Sequence, residues 1–398
     1  MEPIDQKTGL ILTGGGARAA YQVGVLNALS LILLEAGWPA HRNPFQIICG
    51  TSAGAINATA LACRADDFGE GVRELMNVWS HFKANQVYRA DSLGVIRSGA
   101  RWLSLFSFGW LLRKWRANPP SSLLDNTPLV TMLHRLLDLP RLDDALANGS
   151  LHALAVTASS YTSGQHLTFY QSNQQIEPWR RTQRGAVRDQ IGVEHLLASS
   201  AIPFIFPAIP IFHEGHREYF GDGSMRQIAP ISPAIHLGAS KILVIGAGRL
   251  GERAQPSTEL AQYPSLAQVA GHAMSSIFLD GLAADIERVN RINQTLSILT
   301  PEQRTHMPLR PIDVLVISPS ERIDGIASRH VHSLPRPVRV MLGGIGATEV
   351  RGAALASYLL FEQSFTRELI ALGERDTYAM REQVLAFFAA DIAGAISA

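Results

Sequence analysis

The sequence predicts an α/β protein built on a largely parallel sheet, and two observations carry that prediction. Within the first sixty residues, short apolar runs alternate with glycine-rich turns and helical patterns. Leu10-Ile11-Leu12 ends in Gly14-Gly15-Gly16, and the run 45–49 ends in Gly50-Thr51-Ser52-Ala53-Gly54, each followed by a helix. A βαβα succession of this kind gives parallel strands covered by helices. Further apolar runs at 151–157, 166–170, 241–245 and 312–317 supply the remaining strands.

The first helix shows Tyr21, Val25, Leu29 and Leu33 in steps of four, one face of an α-helix, and Gly37 and Pro39 close it. A second helix is expected over 55–63 and another over 193–200, stopping before Pro203. The runs 207–212 and 217–220 flank a Glu214-Gly215 turn, a hairpin pattern that empties into Gly221-Asp222-Gly223. From Val340 onward the pattern is mostly helical. The expected division is a core over 8–248 and a continuation over 249–398, contributing the strand 312–317 and packed on the same domain. The loosest stretch is 250–264, with a weaker break at Pro335-Arg336-Pro337.

Composition excludes several classes. The 398 residues carry 35 Lys and Arg against 34 Asp and Glu, a formal charge of +1, which gives nucleic acid no electrostatic footprint. Two cysteines, Cys49 and Cys63, make neither a disulfide framework nor a Cys-rich zinc site, and suit a reducing compartment. The N-terminus lacks the basic start and apolar run of a signal peptide. No window offers 18 uncharged apolar residues, since even 341–361 contains Glu349 and Arg351. The expectation is a cytoplasmic chain with peripheral membrane contact. That contact is assigned to 101–116, where Trp102, Phe106 and Trp110 precede Arg113, Lys114 and Arg116. Aromatic and basic side chains together suit a lipid interface; a core helix with a solvated basic end is the other reading.

Three groups of residues could carry chemistry. Gly50-Thr51-Ser52-Ala53-Gly54 fits G-x-S-x-G, in which a serine on a sharp strand-to-helix turn holds its hydroxyl clear of the backbone. Gly14-Gly15-Gly16 leaves main-chain N–H groups uncovered, able to hold a phosphate or the oxyanion of acyl transfer. Gly14, Gly16 and Ala19 also fit a dinucleotide fingerprint, with Glu35 near the place of a ribose-binding acid. A serine nucleophile needs a base. Asp222, between two glycines that should leave its carboxylate exposed, is one candidate, and His272, His306, His330 and His332 are the others. His213 with His216, and His330 with His332 on one strand face, are incomplete as metal ligands because no third ligand is implied, so no metal is expected.

Together these residues resemble the patatin-like phospholipases. That family has a G-G-G-x-R/K-G loop, a G-x-S-x-G serine and a D-G-G/A aspartate, here Gly14-Gly15-Gly16-Ala17-Arg18-Ala19, Ser52 and Asp222-Gly223-Ser224. The run 198–203, Leu243-Val244-Ile245-Gly246, and the segments 285–293 and 357–373 are also similar. The resemblance implies a three-layer α/β/α fold, a lipid or phospholipid substrate, no cofactor, and a Ser52–Asp222 dyad without a histidine. It also implies an oxyanion hole of Gly14, Gly15, Gly16 and Ala53, with Arg18 bracing the loop or positioning a phosphate. Two positions depart from the pattern: Ala19 stands for a glycine, and Ser224 is placed to hydrogen-bond Asp222 and lower its basicity. A His-containing α/β-hydrolase esterase and a non-hydrolytic nucleotide- or lipid-binding protein remain as alternatives.

Overall fold

The computed structural model describes residues 6–89, 122–249, 263–344, 346–348 and 352–397. Trp102, Phe106 and Trp110, and most of the loose stretch 250–264, lie outside the described residues.

One mixed sheet runs through the molecule. Its strands in chain order are β1 (Lys7–Leu12), β2 (Ile47–Thr51), β3 (Ala153–Ser160), β4 (His166–Ser172), β5 (Arg180–Arg181), β6 (Arg184–Arg188), β7 (Ile209–His213), β8 (His216–Asp222), β9 (Ala239–Ile245) and β10 (Asp313–Ile317). The spatial order is β10-β9-β1-β2-β3-β4-β6-β5, with β8 joined to β3 and β7 to β8. The first five strands of that order are mutually parallel, and β4 and β8 both join β3 antiparallel.

The inner parallel strands are buried on both faces, as such strands must be when helices cover both sides; every residue of β2 and β3 is buried, whereas the edge strand β10 is only partly so. Alternation assigns Leu10 and Leu12 to one core and Ile11 between them to the other. The first core holds the helices α1 (Ala20–Glu35), α2 (Ala53–Ala62), α3 (Phe68–Ser80) and Gln363–Ala379. The second holds Ile231, Ala234, Leu282 and Val289 of the opposite layer. Three layers result, as expected.

By length and composition the segment Gly16–Glu35 could cross a membrane, but 78% of its most apolar stretch is buried inside the fold, where it serves as the central core helix. The sequence reading passed over α3, although its pattern is plain: Phe68, Val72, Leu75 and Trp79 form the buried stripe, and the Asp67 carboxylate caps the first turn by accepting the Glu70 N–H.

Other boundaries differ from expectation. β2 extends through Thr51, because Gly50 and Thr51 still pair with Val156 and Thr157, so the turn begins only at Ser52. The segment 330–332 is not a strand: His330 ends a helix and His332 lies in the 3-10 turn Val331–Ser333. Pro335-Arg336-Pro337 opens the helix Arg336–Gly343, where a proline in the first turn loses no hydrogen bond.

Candidate active site

The sheet itself brings the two candidate side chains together. Along one edge of β3, Thr51 of β2 lies opposite Thr157, and Asp222 of β8 lies opposite the next residue, Ala158. β2 and β8 therefore meet end to end on the same neighbour, and Ser52, the first residue beyond β2, abuts Asp222. The Ser52 hydroxyl donates to Asp222 Oδ2 at 2.6 Å.

Ser52 sits at φ 55°, ψ −132°, a region that side-chain-bearing residues rarely occupy and that costs on the order of 1–3 kcal/mol. Neighbouring hydrogen bonds hold it there. Its N–H donates to Ser199 Oγ at 2.8 Å, and the Ser199 hydroxyl donates in turn to the Thr157 carbonyl at 2.6 Å. The Asp222 N–H donates to Ala201 O and the Gly223 N–H to Ser199 O, each at 3.0 Å. One segment thus clamps both the elbow and the aspartate turn. It lies in the run 198–203 already noted for its resemblance, but Ser199 itself had not been singled out.

Asp222 is not the exposed carboxylate expected from its glycine neighbours; it is fully buried. Gly223 serves close packing, since a Cβ there would lie 1.9 Å from the Thr157 carbonyl oxygen. Burial pushes the Asp222 carboxyl up to about 6, against the hydrogen bonds from Ser52 and Ser224 that hold it down. The Ser224 bond of 2.8 Å comes from its main-chain N–H, which any residue but proline at that position would supply, and desolvation outweighs it. His166 Nε2 meets the Gly223 carbonyl at 2.9 Å, and burial lowers its pKa to about 4, so the neutral ring donates there. No histidine hydrogen-bonds Ser52 or Asp222 among the described residues. His272, His306 and His332 are exposed, and His330 pairs with Glu368.

The glycine loop is braced from the C-terminal part of the chain. Gly16 has φ +55° and passes so close to Tyr358 that a Cβ would lie 2.3 Å from its carbonyl oxygen. The Ala17 N–H donates to that same oxygen at 3.1 Å. Arg18 is buried, donating to Ser357 Oγ at 2.7 Å, Asp324 Oδ1 at 3.0 Å and Ala354 O at 3.2 Å, with its guanidinium 4.1 Å over the Tyr358 ring. Beneath the loop runs a buried polar chain: Trp79 donates to Asn57, Asn57 to Gln22 and Ala19 O, and Gln22 to Thr13 O. Asn57 and Gln22 gave no sequence signal beyond a polar residue in an apolar helix. Ala19 is fully buried, so its methyl is accommodated. Among the described residues, the N–H groups of Gly14, Gly15, Gly16 and Ala53 have no protein acceptor. Glu35 is at the opposite end of α1, roughly 24 Å from the loop, and pairs with Arg381; the loop has no ribose-binding acid there.

A cavity of about 370 Å³ opens beside Ser52, Ala53 and Gly16. It follows Ile56 and Ala60 along α2, between Leu75 and Trp79 of α3 and Met132 and Leu133 of the helix Thr127–Leu136, and reaches the Arg64–Glu74 ion pair. Size and lining suit one flexible apolar ligand.

A profile of the patatin-like phospholipase family matches residues 10–235, which contain the glycine loop, Ser52 and Asp222. The chain belongs to the patatin-like phospholipase family. Among solved structures, VipD from Legionella pneumophila is similar over 92% of this chain and 67% of its own length, with 14% identity and a TM-score of 0.33. No curated protein sequence matches. As a patatin-like protein the chain is a lipid hydrolase in general class. The loop-bracing residues Asp324, Ser357 and Tyr358 lie beyond the matched patatin-like region.

Proposed function

We propose that this chain is a serine acyl hydrolase that cleaves carboxylic esters of phospholipids or lysophospholipids with a Ser52–Asp222 dyad. The observation that carries the reading is the 2.6 Å contact to a buried Asp222 from Ser52 Oγ, with Ser52 lining a largely apolar cavity. Ser52 Oγ attacks the ester carbonyl carbon while Asp222 takes the hydroxyl proton. A carboxyl titrating near 6 is largely ionised at neutral pH, yet more basic than an ordinary aspartate. The carbonyl oxygen, now an oxyanion, is received by the N–H groups of Gly14, Gly15, Gly16 and Ala53, with the positive end of α2 behind Ala53. Collapse releases the alcohol, which takes its proton from Asp222 and leaves an acyl group on Ser52. A water that gives its proton to Asp222 then attacks the acyl carbon, and the acid departs as the proton returns to Ser52.

The acyl chain lies in the cavity along α2. Arg18 holds the loop and does not contact substrate, because all its contacts are made within the fold. Trp102, Phe106 and Trp110 are assigned to the lipid surface on composition; replacing all three should weaken liposome co-sedimentation and spare hydrolysis of a short soluble ester. The dyad is tested by intact-mass labelling with a fluorophosphonate. The wild type should gain one label per chain and Ser52→Ala none. Label persisting in Ser52→Ala, or undiminished turnover in Asp222→Asn, would overturn the assignment.

A further inference from the structure

We propose that the β7–β8 hairpin is a binding site for a divalent transition ion of the Zn²⁺ class, with His213, His216 and Glu218 as its protein ligands. His213 and His216 are directly opposite across the two-residue turn, and Glu218 lies two residues beyond His216, so pairing and the period of the strand put all three on one face. Their ligand atoms lie within 4.8 Å of one another. The sequence showed only the two histidines; the third ligand comes into view once the register is known.

Two features set this cluster apart from a surface ion pair. His213 is buried, and neither of its ring nitrogens has a hydrogen-bond partner among the described residues; the Glu218 carboxylate is 3.7 Å away, too far for one. A buried imidazole left in that state is costly, and a bound cation gives one of its two nitrogens a partner. Glu218 is also buried, and its Oε2 accepts from the hydroxyls of Ser160 and Ser163, leaving Oε1 directed at the histidines. Serines that orient a ligating carboxylate are the usual outer support of a metal site.

The dimensions agree. Ligand bonds of about 2.0–2.2 Å in tetrahedral geometry place donor atoms roughly 3.4 Å apart. The present separations from Oε1 are 2.8 Å to His216 Nε2 and 3.7 Å to His213 Nε2. Side-chain rotations must bring both to that value and also close the two histidine nitrogens, now within 4.8 Å of each other, toward it. Two imidazoles with one carboxylate suit Zn²⁺ and its neighbours, whereas Mg²⁺ and Ca²⁺ prefer all-oxygen sites. His216 is 54% exposed, so the fourth position faces solvent. The ion ties β7 to β8 four residues before Asp222, and so steadies the strand that delivers this aspartate.

The test uses the full chain after chelator treatment, titrated with Zn²⁺ by calorimetry and with Co²⁺ by its visible d–d absorption. One ion should bind per chain, with the intensity of a four-coordinate Co²⁺ site. His216→Ala, an exposed substitution that leaves the fold intact, should weaken binding at least about tenfold, and Glu218→Gln should remove the Co²⁺ spectrum. Ser52→Ala should bind as the wild type does, which separates this site from the hydrolytic reading. Absence of stoichiometric binding in the wild type, or binding undiminished in His216→Ala, would overturn the proposal.

Discussion

Replacing Asp222 by Asn should stop turnover and at the same time make the protein more stable. Folded Asp222 titrates near 6 because burial disfavours its charge, against an ordinary value of 3.8. A carboxyl raised in this way binds its proton more tightly folded than unfolded. Below pH 3.8 both states are protonated and burial of the charge costs nothing. As pH rises toward 6 the unfolded chain ionises first, so stability falls; above 6 both states are ionised and the loss is complete. At about 1.4 kcal/mol per pH unit, a gap of roughly two units costs about 3 kcal/mol. Asn fills the same space, can accept the Ser224 N–H and can donate to Ser52 Oγ, so it carries no such penalty. An unfolding entropy of roughly 2.1 cal/mol/K per residue over this chain converts that energy to a Tm increase of about 3–4 °C. Calorimetry of both proteins should therefore show a gap that is small near pH 4 and full at pH 8. The same titration should limit hydrolysis by the wild type on the acid side, with kcat/KM rising through pH 6. An Asn variant no more stable than the wild type at pH 8, or a gap that does not shrink toward pH 4, would refute the reasoning.

Three other substitutions test the surrounding scaffold. Ser199→Ala leaves the Ser52 N–H and the Thr157 carbonyl without their partner; it should cost about 1–3 kcal/mol in chemical denaturation and lower kcat more than it raises KM. Ser52→Gly should be more stable than Ser52→Ala by about 1–2 kcal/mol, because glycine occupies φ 55° without strain; denaturation midpoints of the two variants decide this. Ala60→Phe should obstruct the cavity along α2. Its kcat/KM should fall at least about tenfold for long-chain esters and stay near the wild-type value for acetate or butyrate esters.

Much of the site was legible in the chain because its chemistry is written in local turns. Glycines flank the sharp turn at Ser52, the proposed nucleophile, and make up the loop Gly14 to Gly16, the proposed oxyanion loop, so both stand out as local patterns. Asp222 is visible as the acidic residue at the end of a hairpin, but its environment is not: glycines beside it suggest exposure, whereas Gly221 admits the Tyr161 phenol, Gly223 admits the Thr157 carbonyl, and Asp222 is fully buried. Ser199, Asn57 and Gln22 are ordinary polar residues in sequence. Their roles depend on which carbonyl or amide stands opposite, and that follows only from packing. His330 and His332 were misread for a related reason, since a two-residue spacing marks one face only if the segment is a strand.

Periodicity, glycine placement and the order of apolar runs determined the layered α/β architecture, the sharp turn at Ser52 and the glycine loop before α1, because each is fixed by steric rules acting over a few residues. Strand register decided the rest. Only the pairing of β2 and β8 end to end on β3 brings Ser52 and Asp222, 170 residues apart, within 2.6 Å. Only the surrounding protein raises the aspartate's pKa to about 6, because desolvation and hydrogen bonding depend on groups from distant parts of the chain that no local pattern encodes.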